Sequence, residues 1–151
     1  MVADLKTKKC DEVAYYIKTG IDITETRRIE EIFLKNEEYL KNNLFSANEL
    51  NYCLNKKDKF LHLAARFAAK EALIKAIEGK LPKGVKLSEI EVINNEYGAP
   101  SFNLKGKLKK LITQMKIQQI SLSMTHCDEY AISLVVLQIK KKIQRNGGKK
   151  K

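Results

Sequence analysis

Apolar and polar positions alternate over Tyr15–Ile23, "YYIKTGIDI". Ile17, Thr19, Ile21 and Ile23 share one side, and Tyr16, Lys18, Gly20 and Asp22 the other. A period of two predicts a strand. Asp22 is out of place in it, because strands are depleted in Asp. From Thr24 the period changes: Ile29, Ile32 and Phe33 recur at helical spacing, in a pattern that fades near Glu38. "SANE", Ser46–Glu49, is a capping box that opens a short helix through Leu54. After a charged break at Lys56–Lys59 comes the longest helical pattern, Phe60–Ile77, free of Gly and Pro. Ala64, Phe67, Ala68, Glu71 and Lys75 share one face of it, with Leu61 a turn back, while Ala69, Leu73 and Ile77 lie elsewhere on the circumference. A helix apolar on most sides is a buried one. "EGKLPKG", Glu78–Gly84, reads as a loop. "IEVINNEYGAPSFNL" reads as a β-hairpin turning at "NNEYGAP". A helix follows near Lys107–Met115, and "QISLSMTHCDEYAISLVVLQI" predicts two strands joined by a tight turn at His126–Glu129. No repeat and no βαβ alternation occurs, so the expected class is α+β with an antiparallel sheet around a long buried helix.

A chain of 151 residues is expected to form one domain, at 15–139, flanked by an N-terminal extension (1–14) and a basic tail (140–151). The formal net charge of +11 first suggests a nucleic acid or a membrane as partner. Its distribution argues otherwise. Seven of the 29 Lys and Arg lie in the tail "KKKIQRNGGKKK", leaving 22 against 18 acids in 1–139. The tail is expected to be disordered and solvated. Lys also far outnumbers Arg, whose fork nucleic-acid readers use at base edges. A basic nucleic-acid-binding module is therefore the weaker, rival reading. Cys10, Cys53 and Cys127 are widely spaced and predict neither zinc nor a disulfide framework. A reducing compartment is expected, cytoplasmic or plastid-type, and not secretion, since the N-terminus lacks an apolar signal core. No apolar run approaches the ~20 residues of a membrane helix.

Three residues carry candidate chemistry. Glu71 stands inside an apolar helix, so it is either paired with Lys75 at i,i+4, worth about 0.2–0.5 kcal/mol, or exposed in a cleft. Asp22 ends a strand, where it either caps the next helix through "DITE" or faces a site. His126 opens the predicted turn. A Cys127–His126 nucleophile pair is a poor candidate, because adjacent residues point apart. His62 reads as a surface or packed histidine, and Gly98 and Pro100 as turn residues.

In combination these segments say more. "TGIDITETRRIE", "LFSANEL", "RFAAKEALIKA", "NEYGAP" and "SLSMTHCDEYAISLVVL" occur in one order. That order closely resembles the holo-acyl-carrier-protein synthase family, the small trimeric 4′-phosphopantetheinyl transferases. The resemblance covers about residues 15–139. It implies transfer of the phosphopantetheine arm of coenzyme A to a serine of an apo acyl carrier protein, in fatty acid biosynthesis, with adenosine 3′,5′-bisphosphate leaving. It implies Mg²⁺ held by Asp22 and Glu71, a donor set that Mg²⁺ also suits physically, since it takes one or two carboxylates plus phosphates and water. Lys75 would neutralise the leaving phosphate, and Arg66 would fork onto phosphate oxygens. Either Glu71 or a metal-bound water would take the serine proton. Ser123, Thr125 and His126 would contact the nucleotide, with Gly98 and Pro100 shaping its pocket. Arg28, helped by Arg27 and Lys35, would meet the acidic carrier. A homotrimer is implied, with Asp22 and Glu71 of one protomer facing the nucleotide pocket of the next. "AISLVVLQI", apolar on both faces, fits such an oligomer, or else a β-sandwich-like core within one chain. Three departures stand out. Lys18 replaces the first glycine of GxGIDI, "EGKLPKG" replaces a Gly-Thr-Gly loop, and Asp58 interrupts the basic pair Lys57 and Lys59 expected at the 3′-phosphate. A catalytically degenerate nucleotide-binding scaffold of the same fold is the other alternative.

Overall fold

A computed structural model of the chain describes residues 13–141; the rest of the expected extension and of the tail lies outside the described residues. Strands β1 (Ala14–Glu25), β4 (Ile117–Cys127) and β5 (Tyr130–Lys141) form an antiparallel sheet in the order β1-β5-β4. Helix α4 (Lys59–Ala76) packs on that sheet. Around it lie α1 (Thr26–Lys35), the single turn α2 (Glu37–Tyr39) running into a π-helical turn at Leu40–Leu44, and α3 (Ala47–Leu54). A hairpin of β2 (Ile90–Asn94) and β3 (Pro100–Leu104) forms the second sheet, and α5 (Gly106–Gln114) leads into β4. The class is α+β, as the pattern predicts.

Two of the boundaries that differ from the predicted ones move a candidate residue. β1 continues through Glu25, and α1 starts at Thr26 without any side-chain cap. Asp22 is therefore a strand residue and not the cap of the following helix. The backbone N–H of Thr26 donates to the Glu129 carbonyl at 2.8 Å, which anchors the helix start to the β4–β5 turn. That turn is only Asp128 and Glu129, so His126 belongs to β4, opposite Ala131.

The alternation of β1 is real, but its polar row points inward. Ile17, Ile21 and Ile23 are 57, 59 and 60% exposed, while Gly20 and Thr24 are buried against α4. Gly20 explains the inversion. A Cβ there would lie 2.0 Å from the Ala72 carbonyl oxygen and 2.6 Å from the Ala76 nitrogen, so only glycine lets the helix backbone come this close. Ser133 supports the contact from the central strand, donating its buried hydroxyl to the Ala65 carbonyl at 3.0 Å. On the outer face, Ile21 sits opposite Leu134 and Ile23 opposite Ile132, and both partners are exposed too. No second layer of described residues covers this face, so the sandwich alternative within one chain does not hold.

The core has two lobes along α4. Ile29, Leu40, Phe45, Cys53 and Leu63 fill one, and Leu73, Ile77, Ile90, Leu108 and Leu137 the other. Between them lies a buried polar node. Lys70 donates to Glu49 at 2.7 Å and to the carbonyls of Leu44 and Leu87 at 2.6 and 3.0 Å. Glu49 also accepts from the N–H of Ser46, closing the predicted capping box, and from the N–H of Val92. Each Lys70 proton has an acceptor, as a buried ammonium requires. Nearby, Glu91 is held by Ser46, Asn48 and Asn103.

Candidate active site

Inward from β1, Asp22 meets α4. One carboxylate oxygen accepts from Lys75 Nζ at 2.8 Å and the other from the Thr24 hydroxyl at 3.0 Å. Lys75 also donates to the Ile21 carbonyl at 3.1 Å. The i,i+4 pairing of Glu71 with Lys75 does not form; Lys75 reaches across to the strand instead. Glu71 is half-buried, and no described residue gives its carboxylate a hydrogen bond or an ion pair. Burial pushes the Glu71 carboxyl above its ordinary range, and the neighbouring Asp22 charge pushes the same way; Lys75 and Arg28 pull back. Arg28, exposed on α1, lies over the Phe67 ring at 5.7 Å and has no acidic partner among the described residues. Asp22, Glu71, Lys75 and Arg28 thus form one cluster, with two carboxylates close enough to repel.

A second cluster occupies another flank of α4. Arg66 precedes Glu71 by five residues, which turns it about 140° around the helix. Arg66 is only 3% exposed, and its guanidinium lies 4.3 Å over the Tyr52 ring. Nη2 donates to the Asn94 side chain at 2.7 Å, and Nε is buried without a partner among the described residues. Asn94 donates in turn to the Gly98 carbonyl at 2.8 Å, and it stands opposite Pro100 in the β2–β3 register. Gly98 has φ 83°, the left-handed conformation this turn needs. The ring of His126 lies 5.7 Å from that of His62, and His62 lies 6.1 Å from Tyr52. Arg66, Gly98, Pro100 and His126 are therefore linked through Asn94, His62 and Tyr52. The sequence reading overlooked Asn94 and Tyr52 and set His62 aside. The available signal was the i,i+4 spacing of His62 and Arg66 on one helix face.

The remaining candidates lie apart. Ser123 and Thr125 are exposed on the outer face, opposite Leu134 and Ile132. Lys57 and Lys59 line a cleft of about 460 Å³ with Asp58, Phe60 and Asp128. Arg27 pairs with Glu31 at 3.1 Å, and Lys35 is exposed in the last turn of α1. Among the described residues no group of three or more His, Cys, Asp or Glu converges as a metal cage. The acidic pair is enough for a hard cation that completes its shell with phosphates and water. Lys18, in place of a glycine, ion-pairs with Glu78 of the loop after α4 at 2.6 Å.

Comparison with known proteins places these motifs in a family. A family model described as the 4′-phosphopantetheinyl transferase superfamily matches residues 18–135. Two proteins named holo-[acyl-carrier-protein] synthase, both from Dehalococcoides mccartyi, are similar over 80% of this chain and 97% of their own lengths. The strain 195 protein is 50% identical over 121 residues, and the strain CBDB1 protein 45% over 120. The solved coenzyme A complex of the Chronobacterium ammoniagenes synthase superposes with a TM-score of 0.71 at 29% identity, covering 83% of this chain and 99% of that one. With the motif residues gathered around α4 and the match spanning most of its length, the chain belongs to the 4′-phosphopantetheinyl transferase superfamily, among the holo-[acyl-carrier-protein] synthases.

Proposed function

We propose that the chain moves the 4′-phosphopantetheine arm of coenzyme A onto a serine of an apo acyl carrier protein and so serves fatty acid biosynthesis. The serine oxygen attacks the β-phosphorus, the bond to adenosine 3′,5′-bisphosphate breaks, and the serine proton passes to Glu71 or to water beside it. The observation that carries this reading is the pair of carboxylates, Asp22 and Glu71, with Lys75 against Asp22. A half-buried carboxylate without a donor, facing a second carboxylate, fits Mg²⁺. Held by Asp22 and Glu71, Mg²⁺ would offset charge on the transferring phosphates. Lys75 is 54% exposed, so its ammonium can turn toward the leaving phosphate.

The buried cation Arg66 suits phosphate oxygens, with His126, Gly98 and Pro100 beside it. Lys57 and Lys59 would add charge at the rim of the pocket. Arg28, with Arg27 and Lys35, would meet the acidic carrier. A homotrimer is part of the reading, supported by two observations. The outer face of the sheet exposes Ile17, Ile21, Ile23, Ile132 and Leu134, a contiguous apolar surface that a second copy would bury. The two clusters occupy different flanks of α4, so the acidic side of one protomer would meet the Arg66 side of its neighbour. Ser123 and Thr125, on the outer face, would lie at that junction. A reducing compartment, cytoplasmic or plastid-type, fits the free thiols of Cys53 and Cys127. No described helix is long and apolar enough to cross a membrane.

The test is to incubate the protein with coenzyme A, Mg²⁺ and an apo carrier, then weigh the carrier. A mass gain of one phosphopantetheine that requires both additions is expected. Tight coenzyme A binding with no mass gain would favour the degenerate scaffold.

A further inference from the structure

Arg66 is a buried cation without a counter-ion among the described residues. No described carboxylate comes within ion-pair distance, its Nε has no partner, and its other contacts are the neutral Asn94 side chain, the His62 carbonyl and the Tyr52 ring. Leaving such a charge unpaired is costly, and an anion that reached it would relieve that cost. His62 stands one helical turn before Arg66, its ring edge-on to both His126 and Tyr52. The charged and titratable groups facing it are Arg66 from α4, His126 from β4, Tyr52 from α3, and Lys56 and Asp58 from the loop between α3 and α4. Three of these are cationic or can become so, and Asp58 is the one acid.

We propose that His62 is a proton-linked phosphate contact of the nucleotide pocket: a phosphate of coenzyme A seated against Arg66 and His126 brings a proton onto His62, whose imidazolium then donates to it. The inference rests on the transferase reading above. In the free protein burial holds His62 below its ordinary range, and Arg66, His126 and Lys56 add to the depression while Asp58 opposes it. The imidazole is therefore neutral at pH 7. A phosphate reverses the field. An opposite charge within about 4–6 Å favours the protonated ring, and by linkage the anion binds more tightly as pH falls.

The experiment is calorimetric titration of coenzyme A into the protein between pH 6 and 8, in buffers of different ionisation enthalpy. The wild type is expected to take up a proton on binding. The affinity gain on acidification is bounded at about tenfold per pH unit, the limit for one proton. The ligand's own phosphate monoester titrates near pH ~6 in the opposite sense, so the quantity read is the difference between wild type and variant. His62→Phe, which keeps the ring contacts, and His62→Gln, which keeps a donor, are each expected to lose the proton uptake and flatten the profile while melting as cooperatively as wild type. Unchanged uptake in both variants overturns the inference, as does uptake lost only in His126→Phe. A wild type that fails to bind coenzyme A overturns the transferase reading itself.

Discussion

Lys70 and Glu71 are neighbours in sequence with opposite surroundings. Lys70 points into the node between the two core lobes, where all its protons are accepted and its Glu49 partner is itself held by two backbone N–H groups. Glu71 points toward the first strand, where no described residue donates to it and it meets the like charge of Asp22. One charge is satisfied from within the fold; the other finds no donor or counter-ion among the described residues. Both sit in an apolar helix, so polarity in a buried pattern does not mark function. Incomplete satisfaction is the better pointer, because a desolvated charge that the fold leaves without a partner is costly and such groups cluster at functional sites.

The sharpest test of this contrast is on activity. Asp22→Ala or Glu71→Ala should lower Mg²⁺-dependent transfer by at least about 10³-fold, roughly 4 kcal/mol, with the circular dichroism spectrum retained. Near-normal turnover in both would remove the site assignment. Lys70→Ala should behave in the reverse way. Stranding Glu49 costs about 3–5 kcal/mol, so the urea midpoint should fall steeply or folding fail, and a midpoint like wild type would dissolve the distinction. Lys75→Ala should lower kcat by about 10²–10³. Because the Lys75 side of its pair with the largely buried Asp22 is half exposed, its loss should move stability by no more than about 1 kcal/mol.

Smaller effects refine the open side. Arg28→Glu should raise the carrier KM about tenfold at low salt and leave coenzyme A affinity alone; equal carrier KM values would send the search to Lys35 or Lys41. Glu71→Gln links activity to stability. The Glu71 pKa is raised in the fold, so the native state holds its proton more tightly than the unfolded chain does. Its contribution to stability is therefore lost as pH rises through the window above its ordinary value of 4.5. At pH 7 without divalent cations, Glu71→Gln should raise the urea midpoint slightly, while with Mg²⁺ present its transfer collapses. A lowered midpoint would mean Glu71 is a stabilising residue after all.

What the chain determined by itself is local. Alternation in "YYIKTGIDI", the Ser46–Glu49 capping box and the long Phe60–Ile77 pattern each report a few neighbouring residues. The structure contains all three, because backbone period and capping depend on contacts within about one turn or one pleat. The motif order likewise identified the family, and Asp22, Glu71 and Lys75 do meet. Four matters needed the assembled tertiary structure. The apolar row of β1 faces outward because Gly20 admits the α4 backbone on the polar side. Lys75 chose Asp22 over Glu71 because the strand lies within its reach. His126 sits beside His62 because the turn is only two residues long. Lys70 became structural and Glu71 did not because adjacent helical residues differ by about 100° in direction, and only the packing of α3 and β2 on one flank and β1 on the other gives those directions different partners.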